Sequence, residues 1–193
     1  MRLTILDSGH GVAMKGKFAV IRTVSGLPVP DAVKTNRYRP DFYGTPMRIL
    51  TQEAMRGASA WSVGDRELMG ASVSQVNKCE VCTKTHAGVA ALAYQDEAKP
   101  AATLADLETA PIEEPLRATM RLLRKLTREH AVTADDMRAV LGAGVSREQI
   151  EDALAVCFTF NVVDRISRTF GWVVSSEEAF KAGSKFLFTR GYH

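Results

Sequence analysis

Apolar residues recur at helical spacing along most of the chain, from about residue 45 onward. Met47, Leu50 and Ala54 lie on one face of such a pattern, which predicts a helix over residues 47–55. Capping residues indicate where further helices begin. These starts are Ser62, Asn77, Thr103, Thr133, Ser146 and Ser176, with Pro115 in the first turn of one more helix. The pattern predicts an all-α fold of about seven helices.

Four of these helices also have predicted ends. The helix from Thr133 is expected to end at Gly142 and Gly144. The helix that starts at Asn77 is expected to reach about Tyr94. The long helix from Ser146 is expected to end near Phe170, and the last helix near Arg190.

The first 45 residues have a less regular pattern. Met14, Phe18 and Ile21 keep the spacing i, i+4, i+7, which is typical of an amphipathic helix. The alternative is a strand over residues 18–24, because β-branched residues are frequent there. Both interpretations stay open at this point.

The chain shows no linker between domains. We therefore expect one domain overall, with residues 46–193 forming the helical domain. Residues 1–45 are expected to be an N-terminal extension that packs on this core or on a partner subunit.

Composition limits the protein class. Hydrophobic residues make up 46% and charged residues 24% of the chain, which excludes a disordered, collagen-like or coiled-coil protein. No apolar run approaches the ~20 residues of a membrane-spanning helix. The first residues also lack the apolar region of a signal peptide. We expect a cytoplasmic protein that does not bind membranes.

The charge is mildly asymmetric. The net charge is +3, while residues 1–48 carry eight basic and three acidic side chains, a net charge of +5. A nucleic-acid-binding protein usually has a stronger basic run, so no nucleic-acid partner is expected. A basic arm or a contact between subunits fits this segment better.

Candidate chemistry begins with the cysteines. Three cysteines cannot form the disulfide framework of a chain this long, and Cys157 lies in an apolar stretch typical of an inert core residue. Cys79 and Cys82 form a C-x-x-C pair. In a reducing compartment such a pair is more often redox-active or metal-binding than structural.

The residues around this pair add acid–base groups. With Asn77 as N-cap, Cys79 would be the second helical residue, where the positive helix end favours a thiolate. Cys82 and His86 follow at spacings of three and four, so all three share one helix face. An imidazole there can accept and return the proton of a thiol. Glu67, twelve residues before Cys79, can orient His86 if the two helices are antiparallel.

The pattern E-x11-C-x-x-C-x-x-x-H resembles the AhpD-like alkylhydroperoxidases of the carboxymuconolactone decarboxylase superfamily. The segments R-Y-R-P-D-F-Y-G, L-T-Q-E-A-M-R-G and W-S-V-G-D-R-E-L resemble a peroxidase-related branch, and F-N-V-V-D-R-I at 160–166 resembles its later core helix. The resemblance covers about residues 37–172. It implies an AhpD-like helical bundle and a homo-oligomer, either a trimer, a dimer or a hexamer.

The resemblance also implies an activity. The implied activity is that of a thiol peroxidase of peroxiredoxin type. In it Cys82 would attack a hydroperoxide, Cys79 would resolve the resulting sulfenic acid, and His86 and Glu67 would relay protons. The cycle needs no bound cofactor, and the reductant would be an external dithiol or a lipoyl-bearing protein. The residues alone leave the order open, because the helix end favours Cys79 as the thiolate and His86 favours Cys82.

Three other functions compete with this one. Cys79, Cys82, His86 and Glu67 could supply four zinc ligands, although structural zinc sites usually hold C-x-x-C on a turn. The superfamily also contains lyases that decarboxylate lactone acids, but these work without a cysteine pair. The third alternative is a scaffold protein without turnover.

Overall fold

A computed structural model describes residues 1–174 and 176–192. Within these residues the chain forms eleven α-helices and one π-helical turn, and it contains no β-strand. The helices are α1 (Ile5–Ser8), α2 (Val12–Ser25), α3 (Asp31–Tyr38), α4 (Thr45–Arg56), α5 (Val63–Val76), α6 (Glu80–Tyr94), α7 (Ala98–Ala105), α8 (Glu114–Glu129), α9 (Ala134–Gly142), α10 (Arg147–Phe170) and α11 (Glu177–Arg190), and the π-helical turn is Pro40–Gly44. The all-α prediction is confirmed, whereas the number of about seven helices is wrong.

The extra helices lie mainly in the first 45 residues. Residues 12–25 are helical, so the alternative of a strand over residues 18–24 is wrong. A single strand would have no partner for its backbone hydrogen bonds in an otherwise helical chain, whereas a helix satisfies those groups internally. α2 ends at Gly26, whose left-handed backbone (φ +68°) suits a residue without Cβ.

Helix starts were predicted well where a capping box is present. The side chains of Ser62, Thr133 and Ser146 each accept a hydrogen bond from the backbone N–H of the third helical residue. The side chain of that third residue accepts in turn from the backbone N–H of the capping residue. The helix predicted from Thr103 is wrong, because α7 begins at Ala98. The Asp96 carboxylate accepts from the N–H groups of the first turn there. The Thr103 hydroxyl instead donates to a carbonyl of its own helix.

α5 is the central helix of the bundle. Its residues from Gly64 to Ser74 are nearly all buried, and neighbouring helices cover it on all sides. α6 returns antiparallel to α5, while α10 packs against α5 in the same direction. Gly70 allows this close approach, since a Cβ there would lie 2.5 Å from a ring carbon of Phe160. Polar residues on α5 therefore lie in the interior of the protein.

The N-terminal segment contacts the end of α10. The backbone N–H of Arg2 donates to the carbonyl of Phe170 at 2.6 Å. The indole of Trp172 donates to the Thr35 hydroxyl at 2.9 Å. These contacts join residues 1–44 to the helical core, and the division of the chain at residue 45 stays a prediction. Within the described residues, no helix is both long enough and apolar enough to cross a membrane.

Candidate redox site

The turn between α5 and α6 sets the position of the cysteine pair. The Cys79 N–H bonds to the carbonyl of Ser74, and the Lys78 N–H bonds to that of Gln75. These two bonds form a Schellman motif, which ends a helix with one left-handed residue. That residue is Lys78 (φ +57°), where glycine is the usual choice. Because lysine stands there, the sequence carries no glycine to signal the motif.

The prediction of Asn77 as N-cap and Cys79 as the second helical residue is therefore wrong. Asn77 is the C-cap of α5, and Cys79 is the N-cap of α6. The Asn77 side chain does not cap α6, because it donates to Asp164 at 2.9 Å and to Asn161 at 3.3 Å. Cys79 still lies at a helix N-terminus, where the exposed N–H groups and the helix dipole favour a negative charge.

The two sulfurs are close together and unbonded. Cys79 Sγ lies 2.9 Å from Cys82 Sγ, and both residues are free thiols. Only 2% of Cys79 and 4% of Cys82 is exposed. Since a disulfide requires about 2.05 Å between its sulfurs, a small rotation of the side chains would bring the pair to bonding distance.

The surroundings of the two thiols differ. The hydrogen bond with the Cys82 thiol lowers the pKa of Cys79 against the effect of burial, and the Ser167 hydroxyl, 3.3 Å away, adds to this. The same contact with Cys79, together with burial and the negative Asp164, raises the pKa of Cys82. Cys79 therefore carries the thiolate more readily than Cys82.

Asp164 on α10 is part of the site, and the sequence analysis did not identify it. Its carboxylate and the two sulfurs all lie within 4.8 Å of one another. It accepts hydrogen bonds from Ser74 and Asn77, each at 2.9 Å. Burial raises the pKa of Asp164. The available signal was an aspartate at a core position of a predicted amphipathic helix, where charged residues are rare unless paired.

The predicted acid–base pair comes together in the core. Nδ1 of His86 lies 2.7 Å from Oε2 of Glu67, which is fully buried. The antiparallel packing of α5 and α6 produces this contact, which was expected only if these two helices are antiparallel. Among the described residues, neither thiol forms a hydrogen bond with His86. The His86 ring packs instead against the edge of Phe160, with 4.5 Å between ring centroids.

Two further residues hold the Glu67 carboxylate. Arg56 of α4 lies 2.7 Å from Oε1 of Glu67, and the Tyr192 hydroxyl donates to the same oxygen at 2.8 Å. Burial alone would raise the pKa of Glu67. The hydrogen bond and charge of His86, with smaller effects of Arg56 and Tyr192, lower it below its usual range. Neither residue could be identified from the local motif, because both lie on other elements.

The geometry separates the proposed zinc ligands into two groups. Cys79 and Cys82 lie with Asp164, and these three could hold a metal ion. Glu67 and His86 bind each other and do not belong to that group. The arrangement therefore provides a dithiol at a helix N-terminus beside one carboxylate, and an adjacent glutamate–histidine pair.

Comparisons with known proteins give the fold a context. No protein-family model matches the chain, and no curated protein matches it significantly. An uncharacterised peroxidase-related protein from Silicibacter sp. TM1040 superposes with a TM-score of 0.73 at 20% identity, covering 86% of this chain and 87% of that one. A second solved structure, described as an alkylhydroperoxidase AhpD core and an uncharacterised peroxidase-related protein from Ralstonia eutropha JMP134, superposes with a TM-score of 0.74. Its identity is 20%, and the match covers 92% of each chain. The chain has the fold of the AhpD-like peroxidase-related proteins.

Proposed function

We propose that this protein is a thiol peroxidase that reduces hydroperoxides through a dithiol/disulfide cycle of Cys79 and Cys82. The observation that carries the proposal is the distance of 2.9 Å between two free sulfurs at the N-terminus of a helix. The fold shared with peroxidase-related proteins supports an oxidoreductase. A buried glutamate–histidine pair lies on the neighbouring helices α5 and α6, and we assign proton transfer to it.

The first step is an attack on the O–O bond. A cysteine thiolate bonds to the terminal oxygen of the hydroperoxide, and the O–O bond breaks. The sulfur is oxidised to a sulfenic acid, and the departing alkoxide takes a proton to become an alcohol. Glu67 and His86 would hold and return protons in this step, as a general acid–base pair does.

The second step closes the disulfide. The remaining thiol loses its proton, and its sulfur attacks the sulfenic sulfur. The hydroxyl group leaves as water, so two protons and two electrons of the dithiol have reduced one peroxide. An external dithiol, or a lipoyl-bearing protein by resemblance, then reduces the Cys79–Cys82 disulfide and is itself oxidised.

The contacts favour Cys79 as the attacking thiolate. Its pKa is lowered, and it lines a surface cleft of about 460 Å³. The pKa of Cys82 is raised, and Cys82 is not among the described residues that line this cleft. The resemblance implies the opposite order, so the position of the sulfenic acid distinguishes the two.

We further propose a cytoplasmic homo-oligomer without nucleic-acid or membrane partners. The mild net charge of +3 supports the absence of a nucleic-acid partner, and the exposed apolar residues of α2 support assembly. The small-molecule substrate is a hydroperoxide, and the dithiol donor is a separate molecule.

The test is a peroxidase assay with a panel of dithiol donors. We compare the wild type with Cys79→Ser and Cys82→Ser, and use Cys157→Ser as the control, because Cys157 is a buried core residue whose sulfur contacts Thr127 and Asn161. Both active-site variants should lose turnover, while the control keeps it. Mass spectrometry after mild oxidation should show the loss of two hydrogens in the peptide with both cysteines. Turnover by both single variants would contradict the proposal.

A metal site is the second candidate, and the grouping of Cys79, Cys82 and Asp164 favours it. Metal analysis of protein purified without chelator separates the two functions. About one zinc ion per chain, with thiols unreactive until the metal is removed, would support the metal site.

A further inference from the structure

A basic cleft lies beside the redox site. It has a volume of about 1110 Å³ and is bounded by the turn after α5 and by the C-terminal halves of α8 and α10. Six cationic side chains line it: Arg2, Lys78, Arg124, Arg128, Arg165 and Arg168. Asp164 is the single carboxylate in this lining among the described residues, and it lies fully buried beneath the cleft. The cleft is therefore strongly positive.

These cations lack the ion pairs that other basic residues have. On the N-terminal half of α8, Arg117 pairs with Glu114, and Arg121 pairs with Glu108 and Glu114. Within the described residues, none of the six lining cations forms an ion pair. Burial and the nearby charge of Arg128 lower the pKa of Arg124 against the opposite effect of Glu108 and Asp106. The buried Nε of Arg124 has no hydrogen-bond partner among the described residues. An anion in the cleft would relieve this repulsion.

Backbone carbonyls hold several of these side chains in place. Nη1 of Arg2 donates to the carbonyl of Arg168 at 2.8 Å, and Nη1 of Arg168 donates to that of Asn77 at 3.0 Å. A neutral acceptor orients a guanidinium without cancelling its charge. The remaining N–H groups are then available for the two oxygens of a carboxylate or phosphate.

The basic cleft adjoins a smaller one that contains the reactive thiol. The two share Arg2, Lys78 and Arg168 in their linings. The smaller cleft also includes Cys79, and one wall of it is apolar, formed by Val81, Trp172, Val173, Val174 and Phe180. A molecule lying across both clefts would meet the cations of the basic cleft and, in the smaller cleft, both Cys79 and apolar side chains.

We propose that the two clefts together bind an amphiphilic anionic hydroperoxide, with its carboxylate or phosphate group in the basic cleft and its alkyl chain against the apolar wall. This inference rests on the proposed function, since Cys79 attacks the O–O bond in the step described above. The cations bind the head group and place the peroxide at the thiol. They also raise the rate at which anions reach the site.

Binding can be measured without turnover. Octanoate and octyl phosphate are compared with octanol on the reduced wild-type protein, using calorimetry. Both anions should bind more tightly than octanol, with an affinity that falls as salt rises. The anion that binds more tightly identifies the head group.

The double variant Arg124→Gln/Arg128→Gln should weaken anion binding about tenfold. The control is Arg138→Gln, because Arg138 forms an ion pair with Asp135 and does not line the cleft. Equal binding of octanol and the anions would overturn the proposal.

Turnover then tests the substrate assignment. The ratio of kcat/KM for a hydroperoxide of a fatty acid to that for tert-butyl hydroperoxide should fall about tenfold in the double variant. If the kcat/KM ratio is unchanged and turnover is normal, the basic cleft does not bind the substrate, while the proposed peroxidase activity stands. Anion binding without turnover of any hydroperoxide would overturn the substrate assignment and the proposed function together. A lower oligomeric mass of the double variant would assign these arginines to a subunit contact and overturn the proposal.

Discussion

The hydroxyl of Tyr192 donates a 2.8 Å hydrogen bond to Oε1 of Glu67, across 125 positions of the chain. Arg56 lies 2.7 Å from the same oxygen, and His86 lies 2.7 Å from the other one. A fully buried carboxylate is stable only when such partners replace the water it has lost. The end of the chain therefore supports the residue that we assign to the proton relay.

Tyr192→Phe should destabilise the protein. The substitution removes one hydrogen bond to a buried charged group, which is typically worth about 1.5–3 kcal/mol of unfolding free energy. Urea unfolding measures the change. Tyr38→Phe is the matched control, because the Tyr38 hydroxyl forms no hydrogen bond within the described residues. Equal stability of both variants would contradict a supporting role of Tyr192.

The stability of the wild type should fall with acid partly because of Glu67. Its pKa is lowered in the folded protein, so the unfolded chain binds the proton more readily. The stabilisation is present above the unfolded-state value of about 4.3 and is lost as the pH falls through the folded-state pKa. Glu67→Gln should therefore show a shallower decline of unfolding free energy between about pH 5 and about pH 3. Parallel curves for the two proteins would contradict the lowered pKa.

Cys79 should react with alkylating agents before Cys82. The pKa of Cys79 is lowered by its partner thiol and Ser167, whereas that of Cys82 is raised. Limited treatment with iodoacetamide at about pH 6 should label Cys79 first. Trypsin cuts after Lys78 and Lys84, so one short peptide holds both cysteines and fragmentation locates the label. Cys157, whose pKa burial raises, is the internal control and should stay unlabelled in folded protein. Labelling of Cys82 first would favour the order implied by the resemblance.

Loss of the relay should slow oxidation by peroxide. Glu67→Gln and His86→Ala should each reduce the rate about 10²–10⁴-fold, the usual contribution of a general acid–base group. Stopped-flow oxidation of the reduced protein measures the rate, and circular dichroism confirms that each variant is folded. Glu129→Gln, at an exposed position of α8, is the control. If both relay variants are oxidised at the wild-type rate, Glu67 and His86 have a structural role and do not transfer protons.

The α2 helix should take part in a subunit contact. Val20 is 62% and Val24 83% exposed, and Phe18 is the one buried side chain of this helix. Covering these valines in a homo-oligomer would remove apolar surface from water. Val20→Glu/Val24→Glu should lower the mass measured by light scattering, as should deletion of residues 1–25. A wild-type protein that is fully active as a single 21.1 kDa species would exclude obligate assembly.

The sequence by itself determined the features that depend on neighbouring residues. The capping boxes at Ser62, Thr133 and Ser146 formed as predicted, because each needs side chains only three positions apart. The spacing of Cys79, Cys82 and His86 brought them to one helix, α6, with Cys79 as its N-cap. The contact of Glu67 with His86 followed from two helices joined by a short turn.

The tertiary structure decided the rest, because it brings together residues that are distant in the chain. Asp164 and Ser167 reach the thiols from α10, and Tyr192 reaches Glu67 from the C-terminus. No local pattern marks such partners, since packing of separate helices creates the contacts. The cap of α6 was also hidden, because Lys78 takes the left-handed position where a glycine would have signalled the turn. The relative reactivity of the two cysteines depends on these contacts, so the sequence alone could not fix their order.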